Sequence, residues 1–267
     1  MNRIDQKFAD LRAAGQKAFV AYITAGDPDL ESTARYVRAL EKVGVDVVEL
    51  GVPFSDPLAD GVVNQRAAER ALRSGTTPHG VLATVRRVRD AGCRVPVVLY
   101  IYFNLIHRHG VKSFGREAAR AGVDGVLALD LPPEEAGPYE TAMRQAGVHP
   151  IFLIAPTTPE PRIAEIAGHG AGFLYYISRE GVTGMQREVA DRLAERVAVI
   201  RRCSRVPVVV GFGVSTPQQA AIVARAADGV VVGSAIVDQM ARHGRHVARV
   251  MPFVSRLVRA VKKVRAQ

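Results

Sequence analysis

The chain has 267 residues, is 48% hydrophobic and carries a formal net charge of +10. That is enough apolar material for a sizeable core, and one large domain is expected over residues 1–267. No apolar run reaches about 18 residues, so no membrane span is expected; the two cysteines, Cys93 and Cys203, stand far apart and fit a reducing cytoplasm.

Residues 1–16 are polar and amphipathic, with Ile4, Phe8 and Leu11 on one helical face. They lack the apolar centre of a signal peptide and predict an extra N-terminal helix. A first strand follows at 18–23. The turn after it, Thr24-Ala25-Gly26-Asp27-Pro28, is not the G-x-G-x-x-G fingerprint of a dinucleotide-binding sheet. A helix is predicted over 30–43 and a second strand over 47–50.

Strand 2 ends on Glu49 and opens into a loop rich in Gly, Pro and Asp that carries Asp60 and Gly61. An acid among apolar strand residues is costly unless it is paired or used, because burial disfavours its charged form. Two carboxylates facing one cavity could divide acid and base work. Capping and turn formation would account for the same residues, and spacing alone does not show that the two face each other.

Further along, helices are predicted over 81–91, 112–121, 133–146, 159–168, 188–202 and 217–226. Strands are predicted over 97–101, 125–129, 150–154, 173–177, 208–211 and 229–232. His107-Arg108-His109 has the spacing of a metal pair but lacks an evident third ligand, and is expected in a surface turn. His243 and His246 are expected in a basic helix. Apolar strands alternating with helices imply a parallel sheet covered by helices. Eight such units in about 250 residues match a (β/α)₈ barrel. An open doubly wound sheet is the alternative.

In a barrel the site is built from the loops at the C-terminal ends of the strands. Besides Glu49 and Asp60, these ends carry Ser178-Arg179-Glu180-Gly181-Val182-Thr183-Gly184 after strand 6, a segment whose glycines allow a closing loop. Gly213 follows strand 7, and Gly233 and Ser234 follow strand 8. Glycines let backbone N–H groups approach an anion, so Gly184, Gly213, Gly233 and Ser234 are expected to cradle phosphate. Tyr22 and Tyr175 could line the pocket or pack in the strands. No Lys ends a strand, which disfavours Schiff-base chemistry, and no Ser-His-Asp or Cys-His arrangement is evident.

Between residues 191 and 267 lie 14 Lys and Arg against four Asp and Glu, which accounts for the whole net charge. The cations Arg256, Arg259, Lys262, Lys263 and Arg265 oppose an apolar stripe of Val254, Leu257, Val258, Val261 and Val264. That pattern predicts a helix packed on a globular domain, and nucleic-acid binding is not expected.

Along nearly its whole length the chain resembles the α subunit of tryptophan synthase. The resemblance rests on residues 18–28, 49–61, 121–135 with Asp130-Leu131-Pro132-Pro133-Glu134-Glu135, 151–158, 178–184, 210–216 and 233–237. It implies a TIM-barrel carbon–carbon lyase of tryptophan biosynthesis, cleaving indole-3-glycerol phosphate to indole and glyceraldehyde 3-phosphate. It implies Glu49 and Asp60 as the catalytic acids. Glu49 would protonate indole C3 and help deprotonate the glycerol hydroxyl, and Asp60 would accept the indole N–H. It implies an indole pocket of Tyr22, Asn64, Leu99, Leu127, Leu129 and Tyr175, and phosphate on Gly184, Gly213, Gly233 and Ser234. Site closure would involve Arg179 and Thr183, in a loop over 179–192. No metal and no cofactor of its own is implied. PLP would belong to the partner, a β subunit in an α₂β₂ assembly, facing Asp56, Pro57 and Asn104.

The chain departs from the family where the usual segment after Asp60 is Gly-Pro-x-Ile-Gln. Here it reads Gly61-Val62-Val63-Asn64-Gln65. The missing proline at Val62 is expected to loosen the loop. Asn64 is expected to weaken or retune substrate binding, which KM for Asn64→Ile would measure. Leu105 also replaces a proline common in relatives. Such changes would also suit a paralogue that releases indole on its own, the second reading after the α subunit. An inactive barrel holding anionic partners is a further alternative, opposed by the presence of both acids and the glycines.

Overall fold

A computed structural model describes residues 1–178, 186–211 and 213–265, without the side chains of 186–190. Helix α1 spans Arg3–Ala13, followed by β1 (Ala18–Thr24), α2 (Leu30–Lys42), β2 (Val47–Gly51), α3 (Val62–Arg73) and α4 (Pro78–Asp90). Next come β3 (Val97–Ile101), α5 (Phe103–His109), α6 (Val111–Ala121), β4 (Gly125–Ala128), α7 (Gly137–Gln145), β5 (His149–Ile154) and α8 (Glu160–His169). The chain closes with β6 (Leu174–Ile177), α9 (Gln186–Cys203), β7 (Val208–Gly211), α10 (Pro217–Ala226), β8 (Gly229–Val232), α11 (Ser234–His243) and α12 (Val247–Lys262). The eight strands are parallel and close into a barrel in sequence order, β8 pairing with β1.

Side chains alternate strictly across each strand. Outward residues such as Phe19, Ile23, Leu50, Val97 and Leu99 meet the surrounding helices in one core. Inward residues, among them Val20, Tyr22, Val47, Val98, Leu127, Ile151, Phe173 and Val209, fill the barrel. Helix α1 joins this inner cluster through Ile4, Phe8 and Leu11, with Phe8 and Phe173 rings 5.9 Å apart. It therefore covers the N-terminal end of the barrel.

The Asp that recurs before strands has a repeated job there. Asp46, Asp124 and Asp228 each donate a backbone N–H to the carbonyl of Phe19, Val97 or Val208, and their carboxylates accept the N–H of the same residue. Each also meets cations: Lys262 for Asp46, Arg89 and Arg3 for Asp124, Arg201 for Asp228. These buried or half-buried acids are thus paired, as burial of charge requires.

The structure refines several expectations. The predicted helix at 133–146 breaks into a 3₁₀ turn, Pro133–Glu135, and α7. His107 and His109 lie in the last turn of the short helix α5 rather than in a loop, and His109 meets Glu117. His243 ends α11 and His246 precedes α12. Val62 opens α3, and Leu105 packs half-buried in the outer core. Helix α12 buries Val254, Leu257, Val258 and Val261 as the apolar stripe predicts. The cations Arg259 and Lys262 sit in its last turn, where they complement the helix dipole. No helix among the described residues is long and apolar enough to cross a membrane.

Candidate active site

At the open end of the barrel lies a cavity of about 460 Å³. It is lined by Tyr22 from β1, Glu49 from β2, Tyr100 from β3, Tyr175 from β6, Asn64 from α3, and Gly213, Gly233 and Ser234 beyond β7 and β8. A volume of this size suits a small organic ligand.

Glu49 sits at its floor. It pairs in register with Tyr22 on one side and Val98 on the other, all facing inward. The residue is fully buried, and neither carboxyl oxygen has a hydrogen-bond partner among the described residues. Burial, with a smaller contribution from the charge of Asp60, raises its pKa to about 8. Glu49 therefore carries a proton at neutral pH. The contrast with Asp46, Asp124 and Asp228 is sharp. Those acids are paired for structure, while this one has no partner among the described residues and lines a cavity.

Asp60 is built differently. The loop that bears it is drawn over the end of β3, where Val52 N–H donates to the Tyr100 carbonyl and the Phe54 ring lies 5.0 Å from that of Tyr102. The Tyr102 hydroxyl accepts the Ala59 N–H at 3.0 Å and donates to Asp60 Oδ2 at 2.9 Å. The Tyr100 hydroxyl donates to Asp60 Oδ1 at 3.2 Å. Burial raises the Asp60 pKa, and hydrogen bonds from Tyr102, Tyr100 and Asn64 work against that rise. The two acids thus sense one another, and each has its own environment.

Asn64 lines the cavity, and its Oδ1 is buried without a partner among the described residues. Leaving a buried acceptor unmade costs about 1–3 kcal/mol.

Tyr22 and Tyr175 line the cavity, and glycines make room for them. A Cβ at Gly51 would collide with the Tyr22 hydroxyl, and one at Gly211 with the Tyr175 ring and hydroxyl. Gly211→Ala is therefore expected to destabilise the fold by about 1–3 kcal/mol through overpacking. Adding Tyr175→Leu should recover most of that loss in urea unfolding. Strictly additive effects of the two substitutions would show that the rings do not depend on this gap.

Leu99 requires a correction. It points outward into the helix-facing core, and its neighbour Tyr100 points inward. Leu127 is buried inside the barrel and Leu129 packs on the same inner cluster, but neither borders the cavity. Tyr100 and Tyr102, absent from the sequence-based pocket, are the hydroxyls that hold Asp60. The pattern Tyr100-Ile101-Tyr102 at a strand end, two tyrosines on one face, was the available signal. Arg179, Thr183 and Gly184 lie outside the described residues. Of the 179–192 segment expected to form a loop, the part from Gln186 onward belongs to α9. Asp56 and Asn104 are exposed and Pro57 half-exposed.

Two helices start at the rim. Helix α10 is closed by its own capping box, Thr216 with Gln219, whose amide oxygen also accepts the Ser215 and Thr216 N–H groups. Helix α11 starts at Ser234 with Gly233 as its N-cap and no side chain capping it. Its N-terminus, bordering the cavity through both residues, is the better placed to meet an anion.

Comparison with known proteins gives one family. Residues 8–265 match the family model for the tryptophan synthase alpha chain. The tryptophan synthase alpha chain of Geobacter sulfurreducens is 51% identical over 266 residues, covering 98% of this chain and 99% of that one. The crystal structure of tryptophan synthase subunit alpha from Legionella pneumophila superimposes with a TM-score of 0.91 at 38% identity, covering 99% of this chain and 100% of that one. A structure of tryptophan synthase from M. tuberculosis in a ligand-free form gives a TM-score of 0.88 at 34% identity, covering 98% of this chain and 100% of that one.

Proposed function

The chain belongs to the tryptophan synthase alpha chain family, lyases of indole-3-glycerol phosphate, and on that premise we propose how its own residues carry out the cleavage. The observation that supports the assignment best is Glu49, a fully buried acid without a partner among the described residues, protonated at neutral pH on the floor of the cavity.

Breaking the bond between indole C3 and the glycerol chain needs C3 protonated first, because an aromatic carbanion leaves poorly. Glu49 supplies that proton, and the ring becomes a cation with its charge toward the nitrogen. The Glu49 carboxylate so formed takes the proton of the adjacent glycerol hydroxyl. The hydroxyl becomes an aldehyde, the C–C bond breaks, and its electron pair returns to the ring. One proton leaves Glu49 and one comes back, so the group is restored with each turnover. Asp60 accepts the indole N–H and stabilises the developing cation, help aimed at the transition state. Tyr22 and Tyr175 flank the ring. Gly213, Gly233 and Ser234, with the open N-terminus of α11, take the phosphate, joined by Gly184. These roles use one domain and no cofactor of the chain's own, and the setting is the cytoplasm. Released indole passes to a PLP-dependent β subunit, with Asp56, Pro57 and Asn104 on the facing surface.

The test is indole release from indole-3-glycerol phosphate by the purified chain, with and without a β subunit. Slow release that rises strongly with β is the expected result. Fast release indifferent to β would favour a stand-alone lyase, and no release under either condition would sink the assignment.

A further inference from the structure

Asp60 receives more donors than its own loop supplies. Tyr102 reaches one oxygen and Tyr100 the other, at 2.9 and 3.2 Å. Tyr102 is also tied to the loop through the Ala59 N–H. The Tyr100 hydroxyl makes its one side-chain bond among the described residues to Asp60, so its donor is committed to that carboxylate. The Tyr100 ring is in turn fixed edge-on by Tyr22, centroids 5.1 Å apart.

We propose that Tyr100 is a positioning residue that, with Tyr102, clamps the Asp60 carboxylate from both of its oxygens and aims it at the ring nitrogen of the bound substrate. The inference rests on the cleavage reading above and deepens it, since it assigns to Tyr100 the task of presenting Asp60. One donor per oxygen leaves acceptor capacity on each, as a carboxylate offers about four lone-pair sites. The clamp therefore restrains the group's rotation without using up its ability to accept an N–H. It also favours the charged form, which is the form that accepts. The titratable groups facing Asp60 are Glu49 from β2, Tyr22 from β1, Tyr175 from β6, and Tyr100 and Tyr102 themselves. Hydrogen bonds, rather than a cation among the described residues, oppose its burial.

Two readouts test this on the full chain. Carbon-13 labelling of aspartate, with the Asp60 resonance identified by its loss in Asp60→Asn, follows the titration of that carboxyl directly and needs no turnover. The pH profile of kcat/KM for indole release follows its use. Tyr100→Phe removes a single oxygen and is expected to move the Asp60 midpoint, and the acid limb of kcat/KM with it, upward by about one pH unit. Tyr102→Phe, which removes the donor to the other oxygen, should move both in the same direction. Should Tyr100→Phe fold poorly, Tyr102→Phe carries the test. An unmoved midpoint in folded variants would overturn the clamp. A moved midpoint in a chain that releases no indole would uphold the clamp and overturn the cleavage reading instead.

Discussion

Glu49→Gln is expected to abolish indole release and, at alkaline pH, to make the folded protein more stable than the natural chain. The loss of activity should be at least about 10³-fold, since a general acid–base group contributes about 10²–10⁴ and Glu49 performs both transfers. The gain in stability follows from its titration. Folding raises the Glu49 pKa from an ordinary 4.5 to about 8, chiefly through burial. Between those values the folded chain holds a proton that the unfolded chain has released. Stability therefore falls as pH rises through this window and levels off above the folded pKa. At about 1.4 kcal/mol per unit, the fall is on the order of several kcal/mol. Glutamine does not ionise, so the variant lacks this slope. Its amide meets the same unpartnered floor, at a cost of about 1–3 kcal/mol, so near pH 5 the variant should be no more stable than the natural chain. Urea unfolding of both at pH 5 and pH 9 measures the difference. Parallel stability–pH curves would mean that Glu49 is not buried as described.

Asp60→Asn should cost about 10²–10³-fold in kcat/KM, the loss typical of removing one preorganised electrostatic contact. The shape is preserved and an acceptor oxygen remains, so the loss reads the charge that stabilises the ring cation. The two acids are coupled, and the charge of Asp60 is the second cause of the raised Glu49 pKa. Neutralising Asp60 should therefore shift the alkaline limb of kcat/KM, set by loss of the Glu49 proton, toward lower pH. Activity within tenfold of the natural chain would remove Asp60 from the chemistry. An alkaline limb that stays in place would show that the two carboxyls act independently.

Much of the fold was written along the chain. Each β-branched run framed by helical periodicity became a strand within a residue or two, because a strand buried on both faces must be apolar throughout. Helices α3 and α5 were missed: α3 follows directly on the Asp60 loop, and the seven residues of α5 carry too little periodicity to stand out. Glu49 and Asp60 were legible as carboxylates at a strand end and in its loop, and Gly233 and Ser234 as the start of a helix after a strand.

The facing of side chains was not legible. In a strand that is apolar on both faces, nothing in composition tells the inner residue from the outer. Because the side-chain period is two, an error of one residue exchanges them, as Leu99 and Tyr100 show. The same holds for the donors on Asp60 and the pKa of Glu49. Each depends on groups brought together from separate strands and loops, and only closure of the barrel makes them neighbours. The sequence by itself determined the eight strand–helix units and the acids at their ends. The tertiary structure decided which of those acids are paired and which one stands alone in the cavity, because burial and hydrogen bonding are properties of the assembled neighbourhood.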